Sequence, residues 1–87
     1  MTVQAAIAHV LASGEAIPEH ELYERVWPLL TKKMSAAAFG ARFREWKRSV
    51  NESNADVRRV LKEKVPGKKY PRWRMVREDG AQMRLVG

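Results

Sequence analysis

The sequence predicts an α+β domain, and three observations carry that reading. Apolar side chains recur at helical spacing through the first fifty or so positions, a basic stretch at 65–71 is broken by proline and glycine, and an Asp-Gly pair sits between two strand-like runs near the end. At 87 residues the chain is one domain's worth of sequence, 1–87, expected to hold three or four helices followed by a C-terminal β-hairpin. A chain this short buries a modest core, so it is better suited to presenting a surface than a deep catalytic cleft. Its 45% hydrophobic content is too high for a disordered tail.

Thr2 can cap a first helix running to about Ala12, with Val3, Ile7, Val10 and Leu11 on one stripe and Gly14 as the stop. Pro18 suits the first position of a second helix, where its missing N–H costs nothing. Leu22, Val26 and Leu29 or Leu30 give that helix its buried side, Tyr23 and Trp27 flank it, and Pro28 should end or kink it near Trp27. The third helix is the clearest. Ser35 is a good N-cap, and Met34 can pack on Phe39 across the helix entry. Phe39, Phe43, Trp46 and Val50 follow at spacings that keep them within a sector about 60° wide. The opposite side carries Ala37, Ala41, Arg44 and Arg48, with Arg42 and Lys47 on the flanks.

Residues 51–54 read as a turn, with Ser53 or Asn54 available to cap a fourth helix. In that helix Val57, Val60, Leu61 and Val65 would face inward and Arg58, Arg59 and Lys62 outward. The basic loop comes next, then a strand-like run at 72–77, the turn at Asp79-Gly80, and a second run at 82–86. A competing layout makes 57–64 a strand paired with 72–77 across a basic wing at 66–71. Either layout places helices first and a hairpin last, which is the plan of a winged helix-turn-helix domain.

Charge is distributed unevenly. Seventeen basic and ten acidic residues give a net +7. Residues 1–31 hold one basic residue, Arg25, against Glu15, Glu19, Glu21 and Glu24, while the remaining sixteen basic residues all lie at 32–87. Such asymmetry points to a polyanionic partner. Small residues on the outer face of the third helix would let its backbone approach a groove wall, while its arginines contact phosphates or base edges.

Enzyme chemistry is not expected, and no catalytic residue is assigned. The five glycines are scattered at 14, 40, 67, 80 and 87 and form no phosphate loop. Ser13, Ser35, Ser49 and Ser53 have no adjacent histidine, and His20 beside Glu19 and Glu21 points to a different helix face from either. Cysteine is absent and His9 and His20 are far apart, so neither a metal nor another cofactor is expected. With no basic leader at residues 1–4 and no long apolar run, a cytoplasmic protein without membrane or small-molecule partners is the default expectation. Trp27 and Trp46 sit on apolar stripes and suit core packing. Trp73, between Arg72 and Arg74, is expected to anchor the hairpin, with stacking on a base as the minority role.

The run Val3…Ala6-Ile7…Val10-Leu11-Ala12-Ser13-Gly14-Glu15…Pro18…Leu22…Val26, followed by Ser35…Phe39…Phe43-Arg44-Glu45-Trp46-Lys47, resembles the N-terminal DNA-binding domain of plasmid-borne KfrA-type regulators. The likeness covers about the first fifty residues. It differs in having Lys32-Lys33-Met34 where glycines usually precede the serine, and a hairpin where the family carries a coiled coil. It implies a helix-turn-helix with residues 35–48 as the recognition helix.

The expected function is therefore double-stranded DNA binding by a regulator or repressor, of a plasmid, phage or other mobile element. Ser35, Ala37, Ala41, Arg42, Arg44, Lys47 and Arg48 are the recognition-helix candidates, with Arg58, Arg59 and Lys62 as a second set if a fourth helix reads bases. Lys68, Lys69, Tyr70, Arg72 and Arg74 are candidates for the flanking backbone. A homodimer on paired half-sites is one arrangement such regulators use. Two rival classes remain open: a small inhibitor or interaction module docking its basic face on a protein, and a single-strand or RNA-binding accessory domain of a replication protein.

Overall fold

The computed structural model describes residues 1–77. The turn at Asp79-Gly80 and the run at 82–86 expected from the sequence lie outside the described residues. Three α-helices and a three-stranded antiparallel sheet alternate in the order α1 (Val3–Leu11), β1 (Ile17–Pro18), α2 (Glu19–Val26), α3 (Ala36–Glu52), β2 (Arg58–Glu63) and β3 (Arg72–Arg77). A single 3-10 turn, Trp27–Leu29, follows α2. The sheet order is β1-β3-β2, so the last strand runs between the two that precede it in the chain.

Helix ends fall where local chemistry places them. The Thr2 hydroxyl accepts the Ala5 N–H at 3.2 Å, and the Ser35 hydroxyl accepts that of Ala38 at the same distance. After α1, Gly14 takes a φ of 81°, a left-handed turn open to glycine without steric cost. Pro18 is not the first residue of α2 but the extended residue before it, and it pairs with Arg72 while Ile17 pairs with Trp73. Fixed at φ −71°, Pro18 ends the short strand and sets the direction of the helix. Pro28 stops α2 as expected and leaves only the 3-10 turn.

One core joins every element. Val3, Ala6, Ile7 and Leu11 of α1, Ile17, Leu22, Val26 and Leu30 meet Phe39, Phe43, Trp46 and Val50 of α3 and Val60 of β2. Stacked aromatics run along α3, Phe39 on Phe43 at 6.0 Å and Phe43 on Trp46 at 6.4 Å between centroids. Tyr23 packs on Phe39 at 5.2 Å and donates its hydroxyl to the Met34 carbonyl at 2.6 Å, which ties α2 to the entry of α3. At Gly40 there is little room for a side chain: an added Cβ would lie 3.3 Å from the Glu19 carboxylate.

The fourth helix expected over 57–65 does not form, and the competing strand layout describes this region. Only Val60 of its apolar stripe is buried, whereas Val57, Leu61 and Val65 are exposed. The side of α3 not covered by α1 and α2 is covered by Val60 of β2 and Trp73 and Met75 of β3, which the strand pairing presents together. Six-residue pairing satisfies the backbone of β3, from Arg58 opposite Arg77 to Glu63 opposite Arg72. The expected turn at 51–54 also starts later, because α3 continues through Glu52. Ser53, instead of capping a helix, accepts the Asp56 N–H at 3.2 Å.

Side chains occupy the first part of the outer edge of β2. Asn51, in the last turn of α3, accepts the Val60 N–H at 2.7 Å and donates to the Val60 carbonyl at 3.1 Å. Both Val60 backbone groups thus face away from β3 and find in Asn51 the two bonds a neighbouring strand would make. Two residues back on the same edge, the Arg58 N–H donates to Asp56 Oδ1 at 2.8 Å. At these positions β2 offers no free backbone group to an added strand.

Asn51→Ala leaves a part-buried donor and acceptor without partners and should destabilise the domain by about 1–3 kcal/mol in urea denaturation. A change within 0.3 kcal/mol, on the order of the usual surface scatter, would show that water replaces the amide at no cost.

Candidate nucleic-acid interface

The aromatic stripe of α3 decides which way its cations point. With Phe39, Gly40, Phe43, Trp46 and Val50 turned into the core, Ala37, Arg44 and Arg48 are exposed on the far side and Ala41 is half-buried beside them. Among the described residues neither Arg44 nor Arg48 has an ion pair or hydrogen-bond partner. They are charges on a rigid helix with short neighbours.

The flanking cations differ. Arg42 is held by Glu45 at 3.0 Å, one turn along the helix surface. Lys47 does not extend outward: its ammonium lies 3.4 Å from the centroid of the Trp73 ring and 4.2 Å from that of Phe43. Burial lowers the Lys47 pKa, opposed by the nearby Glu19 carboxylate and reinforced by Arg44 and Lys62. Lys47 therefore links α3 to β3. Ser35 is occupied as the helix cap.

Arg58, Arg59 and Lys62 lie on β2 and form no helix face, contrary to the fourth-helix layout. Arg58 binds the Asp56 carboxylate through Nε and a terminal nitrogen, at 3.0 and 2.8 Å. One Arg59 terminal nitrogen donates to the Asp56 and Arg58 carbonyls, both at 2.6 Å. Hydrogen bonding from the Arg58 side chain, helped by its backbone N–H, holds Asp56 down to about 2 from an ordinary value of 3.8. This turn is a built joint between α3 and the sheet.

The β2–β3 connection, residues 64–71, carries the second group of cations. Its turn is Val65-Pro66-Gly67-Lys68, with the Lys68 N–H bonded to the Val65 carbonyl at 3.0 Å and Gly67 at φ 82°. Proline followed by a left-handed glycine is the type II pattern. Lys68 and Lys69 are exposed, and Arg72 is half-buried at the start of β3. Arg74 is paired with Glu63 on the neighbouring strand, which neutralises its charge. Tyr70, 53% exposed, leans edge-on against the His20 ring at 5.3 Å, and Lys69 lies 5.4 Å from its centroid.

Trp73 takes the anchoring position expected of it, edge-on to Phe43 at 5.7 Å and covered by Lys47. Trp27, in contrast to its expected core role, is 40% exposed, with Tyr23 against its ring at 5.6 Å. The sequence reading missed a groove of about 520 Å³ lined by Glu19, His20, Tyr70, Pro71 and Trp73. No sequence signal pairs His20 with Tyr70, because fifty residues separate them.

The acidic residues of the first third are largely self-contained. Arg25 binds Glu15 at 2.7 Å and Glu21 at 3.4 Å. Among the described residues, no cluster of three histidines or acidic side chains could hold a metal ion, and no helix is long and apolar enough to cross a membrane. No protein-family model, curated protein or solved structure matches this chain.

The Asp56 contacts set an acid dependence. A carboxylate with a depressed folded pKa contributes stability above its unfolded value, and this is lost as pH falls through the folded one. The melting temperature of the wild type should therefore fall towards that of Asp56→Asn between about pH 4 and pH 2. A difference that stays constant across this range would remove Asp56 from the acid response.

Proposed function

We propose that this chain is a winged-helix domain that binds double-stranded DNA and acts as a transcriptional regulator. The observation that carries the reading is the outer face of α3, where Arg44 and Arg48 have no ion pair or hydrogen bond among the described residues and stand beside the short side chains of Ala37 and Ala41. The helix they stand on is held by its aromatic stripe on the opposite side, so binding has to order their side chains but not the backbone that carries them. Arg44 and Arg48 enter the major groove, where arginine reaches guanine edges in bidentate fashion or grips phosphate. Lys68, Lys69 and Arg72 at the β2–β3 connection hold the neighbouring backbone.

Two further features support this. Helix, strand, two helices, then two strands joined by a basic loop, in sheet order β1-β3-β2, is the arrangement of a winged helix. The resemblance of the first fifty residues to KfrA-type regulators implies the same helix as the reader. Arg42, Lys47 and Arg74 have lesser parts, since each is engaged within the protein.

With about five cations on phosphates, the log–log dependence of affinity on salt should have a slope near −4.5, at roughly 0.9 per contact. Anisotropy titrations of a random duplex at several salt concentrations measure it. A flat response, or no binding at low salt, would sink the reading and turn the search to a protein partner.

Replacing Arg44 and Arg48 together by alanine should shift the melting temperature little, because both are exposed, while weakening duplex binding by about 2–6 kcal/mol on a cognate site. Unchanged affinity in that double variant would remove α3 as the reader.

A further inference from the structure

We infer that the groove between the start of α2 and the start of β3 receives an unpaired nucleobase, so that the domain favours duplex DNA with a single-stranded arm over blunt duplex. The inference rests on the DNA-binding reading above and assigns a second contact, which shares Lys68, Lys69 and Arg72 with the duplex contact. Its walls are aromatic: Tyr70 and His20 meet edge-on, and Trp73 and Pro71 complete the lining. The volume, about 520 Å³, lies within the range of sites that hold small planar ligands. Aromatic side chains exposed beside cations are the recurring means of holding unstacked bases, since every base offers a π face.

The charges around the groove select the occupant. Lys68, Lys69 and Arg72 line an adjoining pocket that shares His20 and Tyr70 with it, which places ammonium and guanidinium groups where the phosphates of a stacked nucleotide would run. Glu15 and Glu21 are on that same rim, but both are bonded to Arg25. Glu19, in the groove itself, can accept a hydrogen bond from the exocyclic amine of a base. A cationic side chain from a protein would meet the aromatic walls equally well, but it would also meet the three cations on the rim. Duplex bases, stacked and paired, cannot enter. A base released at a fork or a gap can.

The full chain is titrated by anisotropy against a blunt duplex and against the same duplex carrying a short single-stranded arm. The arm should tighten binding by about tenfold, and His20→Ala and Tyr70→Leu should each bring the ratio of the two affinities close to one. Equal wild-type affinities, or a preference that survives both substitutions, would overturn the groove assignment while leaving duplex binding intact. Failure to bind either DNA would overturn the DNA-binding reading as well. Displacement of the armed duplex by N-acetylarginine amide at concentrations where deoxycytidine monophosphate has no effect would give the groove to a cationic side chain, and the inference would fall.

Discussion

Everything in this domain depends on the aromatic stripe of α3. Phe39, Phe43 and Trp46 stack along one side of the helix, and each remaining element is placed by packing on that side. α1 and α2 cover it from one direction, and β2 and β3 reach it through Val60 and Trp73. Buried aromatics contribute large apolar areas, and their preferred ring geometries restrict how neighbours can approach. Because the stripe is narrow, it also fixes the rotation of the helix about its axis. The direction of Arg44 and Arg48 is thus a consequence of core packing and needs no local bond to maintain it.

The described cations include two populations that composition alone cannot separate. Arg25, Arg42, Arg58 and Arg74 are paired with carboxylates, and Lys47 is laid on aromatic rings. These serve the fold. Arg44, Arg48, Lys68 and Lys69 have no carboxylate partner among the described residues. An exposed charge without a partner costs the folded state little, and its attraction to a polyanion is undiminished by competition from within. The net charge of +7 therefore overstates how many groups are available to a partner.

The fate of the segment after α3 shows how tertiary context overrides a local signal. Val57, Val60, Leu61 and Val65 recur at helical spacing, yet the chain there is extended. What favours the strand lies outside it: the open edge of β3, the Asn51 amide on the preceding helix, and the Pro66-Gly67 turn that brings the strands together. The turn and the strand-like run at 72–77 were legible beforehand, and the competing layout paired that run with 57–64; the Asn51 contact was not legible.

The caps at Thr2 and Ser35, the stops at Gly14 and Pro28, the buried side of α3 and the cations opposite it were all determined by the sequence itself. They depend on interactions spanning no more than a turn or two, where residue type and spacing set the geometry. The candidate face of α3 was legible for the same reason. The order of the sheet, the choice of strand over helix for β2, the seating of Lys47 on aromatic rings, the pairing of Arg74 with Glu63, and the groove joining His20 to Tyr70 were decided by the tertiary structure. Each brings together residues whose separation along the chain is unrelated to their distance in space, and only closure of the common core puts them in contact.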